Sequence, residues 1–146
     1  MDSLKYTGCV LLADSHHGLS DGVRRLLATS FETVVMVADE GSLLEVAQRL
    51  QGDLVVIDIG LPQGSCINFL QDFRRRFEKI KIIIIGVYDA PIVAQTALSA
   101  GANGYVIKRS LATDLLNAVD AVLIGQQYIS PEVLKTVERK RFDDTR

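Results

Sequence analysis

Residues 55–64 read Val55-Val56-Ile57-Asp58-Ile59-Gly60-Leu61-Pro62-Gln63-Gly64, VVIDIGLPQG. A run of branched apolar residues ends in one aspartate, and turn-forming glycine and proline follow. Such a run reads as a strand buried on both faces, as in a parallel sheet. A carboxylate is costly to bury without a partner. Asp58 therefore either closes the strand facing solvent or is a reacting group in a pocket, and its neighbours in sequence bear on which.

Outward from this stretch, short apolar runs alternate with amphipathic segments. Cys9–Ala13, Val34–Val37, Ile82–Ile85 and Gly104–Ile107 read as further strands. Between them, Leu19, Val23, Leu26 and Leu27 form one helix face. Ser42 and Glu45 have capping-box spacing ahead of Val46, Ala47 and Leu50. Cys66, Phe69, Leu70, Phe73 and Phe77 line another helix, with Arg74, Arg75 and Arg76 turned towards solvent. Pro91 suits a first helical turn, and Gly101 ends that helix. Ser110 caps a last helix carrying Leu111, Leu115, Val119, Val122 and Leu123, closed by Gly125.

Five strand–helix repeats predict an α/β fold with a parallel sheet covered on both faces. In open sheets of this kind, sites lie at the carboxyl ends of the strands. Asp14 ends the first strand, Asp58 the third, and Lys108 follows the fifth. Two carboxylates and an ammonium thus converge on one edge.

Composition narrows the function. The 146 residues suit a single domain, 48% hydrophobic and 23% charged. A net charge of -2 argues against nucleic-acid binding by these residues alone. No apolar run approaches a membrane span, and the N-terminus lacks a signal-peptide pattern, so a cytoplasmic protein is expected. Cys9 and Cys66, far apart and without metal-type spacing, read as reduced packed thiols. His16 and His17 read as a surface loop. No G-x-G-x-x-G or P-loop follows any strand, which weighs against a nucleotide-binding enzyme.

The segments VLLADSHHGLSDGVRRLL, DLVVIDIGLPQG, KIIIIGVYDA, SAGANGYVIKRS and AVLIGQQYISPEV together resemble the receiver domain of bacterial response regulators, in the NarL/FixJ (LuxR-type) branch. The resemblance implies a three-layer, doubly wound, flavodoxin-like (βα)5 fold with sheet order 2-1-3-4-5. It implies a receiver domain over 1–128. It also implies a tail or linker helix over 129–146, leading towards a helix-turn-helix output domain outside these residues, through which alone DNA would be bound. It implies a signalling module rather than an enzyme. Asp58 would be the phosphoacceptor for a sensor histidine kinase. Asp14, Asp58 and the Gly60 carbonyl would hold Mg²⁺, Lys108 would bind the phosphoryl group, and Tyr105 would be the switch aromatic. Pairing of two copies through helical faces, with Leu19, Leu123 and Ile124 as apolar candidates, is a further expectation.

Three positions depart from the family pattern. Ser15 stands where a second acid is usual, Gly86 where a serine or threonine is usual, and Val87 where a small residue is usual. The lost hydroxyl at 86 removes a charge-assisted hydrogen bond, about 1.5–3 kcal/mol. These departures keep a second reading in view: an atypical receiver acting as a phosphorylation-independent interaction or dimerisation module. The missing acid makes a direct prediction. Ser15→Asp should bind Mg²⁺ more tightly than the parent in a metal titration. Equal affinities would show that position 15 lies away from the metal.

Overall fold

The computed structural model describes residues 5–15 and 17–134, with no account of the side chains of 17–20. His16 and the basic end of the tail therefore lie outside the described residues, as does the Leu19 side chain. The order is β1 (Tyr6–Ala13), α1 (His17–Ala28), β2 (Phe31–Val37), α2 (Glu40–Leu50), β3 (Leu54–Asp58), α3 (Cys66–Arg76), β4 (Lys81–Gly86), α4 (Pro91–Ala100), β5 (Gly104–Ile107), a short 3-10 turn (Lys108–Ser110), α5 (Leu111–Leu123) and β6 (Tyr128–Ile129). The sheet order is β2-β1-β3-β4-β5-β6, and every pair is parallel.

Alternation along the strands makes two cores. Leu11, Ala13, Val55, Ile57, Ile82, Ile84, Tyr105 and Ile107 face one layer, where Leu43, Leu70, Phe73 and Ala97 pack against them. Val10, Leu12, Leu54, Val56, Ile83, Ile85 and Val106 face the other, with Val23, Leu27, Leu115 and Val119. All five residues of β3 are buried, as a central parallel strand requires. The expected three-layer fold is present, and β6 extends it by one short strand. Ser130 and Val133, which follow β6, are also buried, at 0% and 1% exposure.

As their local chemistry predicts, Pro91 is at the first turn of α4 and Gly101 ends that helix, with a φ of 127° that favours glycine. The α2 cap is a correction. Asp39, not Ser42, is the N-cap, and its carboxylate accepts the Ser42 amide at 2.7 Å. Asp39 has extended backbone one residue before the helix, so an acid there captures the orphan amides and Ser42 falls inside the first turn. Ser110 is at the N-cap of α5 but makes no side-chain cap bond, because a 3-10 turn already leads into the helix.

Arg74 is the larger correction. It is not on a solvated face with Arg75. Its guanidinium donates to the carbonyls of Phe77 (3.0 Å), Glu78 (3.1 Å), Ile80 (2.7 Å) and Gly101 (2.8 Å), and to Asn103 Oδ1 (2.9 Å). Asn103 Oδ1 also accepts the Ile82 amide at 2.9 Å. Arg74 thereby satisfies carbonyls before β4 and before β5, and burial lowers its pKa. The planar five-donor fork is what makes this possible. Arg74→Ala should destabilise the fold by about 2–4 kcal/mol, because several half-buried acceptors lose their donor at once. Arg74→Lys, with one compact donor group, should recover less than half of that. Urea unfolding checks both, as a lowered midpoint with unchanged slope.

Candidate functional site

Three elements deliver the site to the carboxyl edge of the sheet. β1 and β3 run in register, Ala13 beside Ile57, so the next residues, Asp14 and Asp58, extend from neighbouring strands. Both are buried, Asp14 at 8% exposure and Asp58 at 3%. The loop after β3 folds back over Asp58. The Leu61 amide donates to its backbone carbonyl at 2.9 Å, and the Gly60 amide donates to Asp58 Oδ1 at 2.7 Å. Pro62 is buried and stiffens this return.

The other oxygen of Asp58 meets Lys108. Nζ lies 2.6 Å from Oδ2, with the lysine side chain only 22% exposed. Oδ2 otherwise makes no hydrogen bond, and the approach of Nζ is a charge contact rather than a well-directed hydrogen bond. The ammonium offsets the cost of burying the carboxylate. Asp58 is therefore not a strand end turned to solvent. It is a buried anion held by one amide and one cation.

Ser15 is exposed beside Asp14. Among the described residues no group of three or more His, Cys, Asp or Glu side chains could hold a metal ion. The available donors are two carboxylates and loop carbonyls, all hard oxygens. They suit Mg²⁺, which keeps several waters, and Oδ2 of Asp58 is a buried oxygen with capacity for such a partner. Cys9 and Cys66 are free thiols, and burial pushes the pKa of each up, away from the nucleophilic thiolate.

At β4 the glycine has a positive structural role that sequence reasoning missed. Tyr105 is fully buried, and its hydroxyl donates to the Tyr88 carbonyl at 2.7 Å. Its ring lies against Gly86. A Cβ at position 86 would overlap the Tyr105 hydroxyl and sit 3.0 Å from Cζ and 3.1 Å from Cε2. Gly86 is thus the floor of the Tyr105 seat. Val87 and Tyr88, the next residues, are exposed at 59% and 54%. Sequence reasoning also gave no site role to Ser130, whose hydroxyl accepts the Ile107 amide at 2.9 Å. Its only signal is the Ser-Pro-Glu order typical of a helix start.

The Tyr105 seat gives a pH prediction. Burial pushes the phenol up to about 12. A raised acid pKa means that the native state keeps a proton which the unfolded chain releases near pH 10. The neutral phenol's contribution to stability is then complete below about pH 10 and is lost as pH rises towards 12. Gly86→Thr should expel the ring and bring its titration back towards pH 10. Ultraviolet absorbance, referenced to a Tyr105→Phe variant of each protein, measures this. An unmoved midpoint would show that the backbone yields instead of the ring.

Comparison with known proteins agrees with the fold. The response regulator receiver domain family matches residues 10–120. The chain is 29% identical over 126 residues to the transcriptional regulatory protein DegU of Brevibacillus brevis, covering 85% of this chain and 53% of that protein. It is 32% identical over 136 residues to the nitrate/nitrite response regulator protein NarP of Escherichia coli K12, covering 91% and 63%. It therefore spans about half to two thirds of these relatives. A LuxR-family two-component response regulator from Aurantimonas sp. SI85-9A1 superposes with a TM-score of 0.83 at 29% identity, over 93% of this chain and 99% of that one. The RcsB protein of Salmonella enterica serovar Typhimurium bound to a promoter shares the fold at 23% identity, with a TM-score of 0.80 over 96% of this chain and 71% of that one. Together with the buried Asp58–Lys108 pair at the end of a doubly wound parallel sheet, these matches establish that the chain belongs to the response regulator receiver domain family, alongside LuxR-type regulators.

Proposed function

We propose that Asp58 accepts a phosphoryl group from the phosphohistidine of a sensor histidine kinase, and that the chain passes this change to a transcriptional output domain outside these residues. The observation that carries the reading is Asp58 itself: a buried carboxylate at the end of the central strand, 2.6 Å from the Lys108 ammonium. In the transfer, an Asp58 oxygen forms a bond to phosphorus as the phosphorus–nitrogen bond to histidine breaks, and the imidazole leaves with the electron pair and takes up a proton. The Gly60 amide orients the carboxylate, and Lys108 pairs with the phosphoryl charge. Asp14, Asp58 and the Gly60 carbonyl are the residues that would hold Mg²⁺, whose role is to neutralise the phosphoryl oxygens. With Ser15 in place of an acid, that hold is weak.

DegU and NarP carry regulator names, and the part of their length that this chain does not span is where DNA binding would reside. The RcsB neighbours, described as dimers on DNA, support pairing of two copies. Of the expected apolar positions, Ile124 at the end of α5 is 73% exposed, while Leu123 is partly buried against the core. Among the described residues no helix is long and apolar enough to cross a membrane, which is compatible with a cytoplasmic regulator. Gly86 favours the second reading in one respect. Because no side chain at 86 has to move for Tyr105 to be buried, the Tyr88 loop can be presented for binding without phosphorylation.

A small phosphodonor with Mg²⁺, read by intact mass, tests the principal reading. A single phosphoryl adduct should form on the parent and be absent from Asp58→Asn. Lys108→Met should slow its formation roughly 10- to 100-fold, as expected for loss of a charged contact. No adduct on the parent at high donor concentration would transfer the weight to the phosphorylation-independent reading.

A further inference from the structure

The two residues that flank Lys108 in sequence both grip the segment after β6. On one side, the Ile107 amide donates to the Ser130 hydroxyl at 2.9 Å in a fully buried position. On the other, the Arg109 guanidinium lies 3.8 Å from the Glu132 carboxylate, and 3.5 Å from Asp89 of the loop that carries Tyr88. Ser130 is tied further: its amide donates to the Tyr105 carbonyl at 3.0 Å, and its carbonyl accepts the Val133 amide at 3.0 Å. Residues 131–134 are helical, and Val133 is 1% exposed in the core.

We propose that Ser130 is a positioning residue that couples the charge state at Asp58 to the C-terminal segment, through Lys108 and the backbone of β5 rather than through the Tyr105 side chain. Lys108 Nζ is held by Asp58 Oδ2, so a change of charge there moves the lysine. Its neighbours cannot follow without disturbing Ser130. Ser130 is fully buried, so loss of its hydroxyl leaves the Ile107 amide without that acceptor in a region of low dielectric. Val133, wedged in the core beyond Ser130, turns a small displacement into a choice between docked and undocked states of the segment. In this chain the side-chain path from position 86 to Tyr105 is absent, because Gly86 has no hydroxyl. The β5–Ser130 path does not need one. The segment it holds is the one by which the chain continues towards its C-terminus.

The inference rests on the receiver reading for its biological meaning, but its test uses no phosphoryl group, so the two can fail separately. Asp58→Asn in the full chain removes the charge facing Lys108. Amide hydrogen exchange over residues 129–134, taken relative to the β3 core amides, should change roughly 2- to 30-fold. Asp72→Asn, on the exposed face of α3, should leave the same ratio unchanged. In a Ser130→Ala background the Asp58→Asn effect should disappear, and Ser130→Thr, which keeps the acceptor hydroxyl, should restore it. Should Ser130→Ala lose its native near-ultraviolet signal, Ser130→Cys, similar in size and a weaker acceptor, takes its place. No change at 129–134 on Asp58→Asn would overturn the proposal. So would an effect of equal size with and without the serine hydroxyl, or an equal effect of Asp72→Asn.

Discussion

The site depends on one contact, the ammonium of Lys108 on the buried carboxylate of Asp58. Neither charge is stable in that position alone. The carboxylate ends a strand covered on both faces, and the lysine follows a strand just as enclosed. Removing either partner leaves an unpaired charge in a region of low dielectric, which is far costlier than the pair. The loop after β3 is shaped by the same requirement, since the Gly60 amide turns back to serve the second oxygen.

Polar groups are arranged very differently at the two edges of the sheet. At the carboxyl edge stand Asp14, Asp58 and Lys108, and the charges there are few and concentrated. At the amino edge, Arg74 donates to four carbonyls and to Asn103. That edge is a structural clamp which fixes the starts of β4 and β5. Fixing one end of these strands leaves the other end, with Gly86, Tyr105 and Lys108, as the place where small rearrangements are cheap.

Gly86 changes the meaning of its neighbour. A serine or threonine there would compete with Tyr105 for space, and the ring would have to wait for the side chain to move. With glycine the ring fills the space itself and ties the Tyr88 carbonyl down. The loop that follows exposes Val87 and Tyr88, and the first turn of α4 exposes Ile92. A buried Tyr105 and an exposed apolar loop are thus compatible in one state, set by the lack of a Cβ rather than by a ligand.

Much of this was legible in the sequence. The apolar runs and their spacing determined a parallel α/β sheet, and the strand-end rule brought Asp14, Asp58 and Lys108 to one edge, because strand period and burial are local properties. Pro91 and Gly101 marked their helix ends by their own backbone limits. What only the tertiary structure decided are contacts between distant segments. Arg74 looked like its neighbours Arg75 and Arg76, and its partners Gly101, 27 residues away, and Asn103, 29 residues away, appear only when β4 and β5 are aligned. Gly86 looked like a lost hydroxyl, but 19 residues later in the chain Tyr105 needs the empty space. Ser130 looked like the start of a linker, until the parallel pairing of β6 with β5 placed its hydroxyl under the Ile107 amide. A side chain's type is written in the sequence, whereas the acceptor, cavity or charge that gives it a role is created when the sheet assembles.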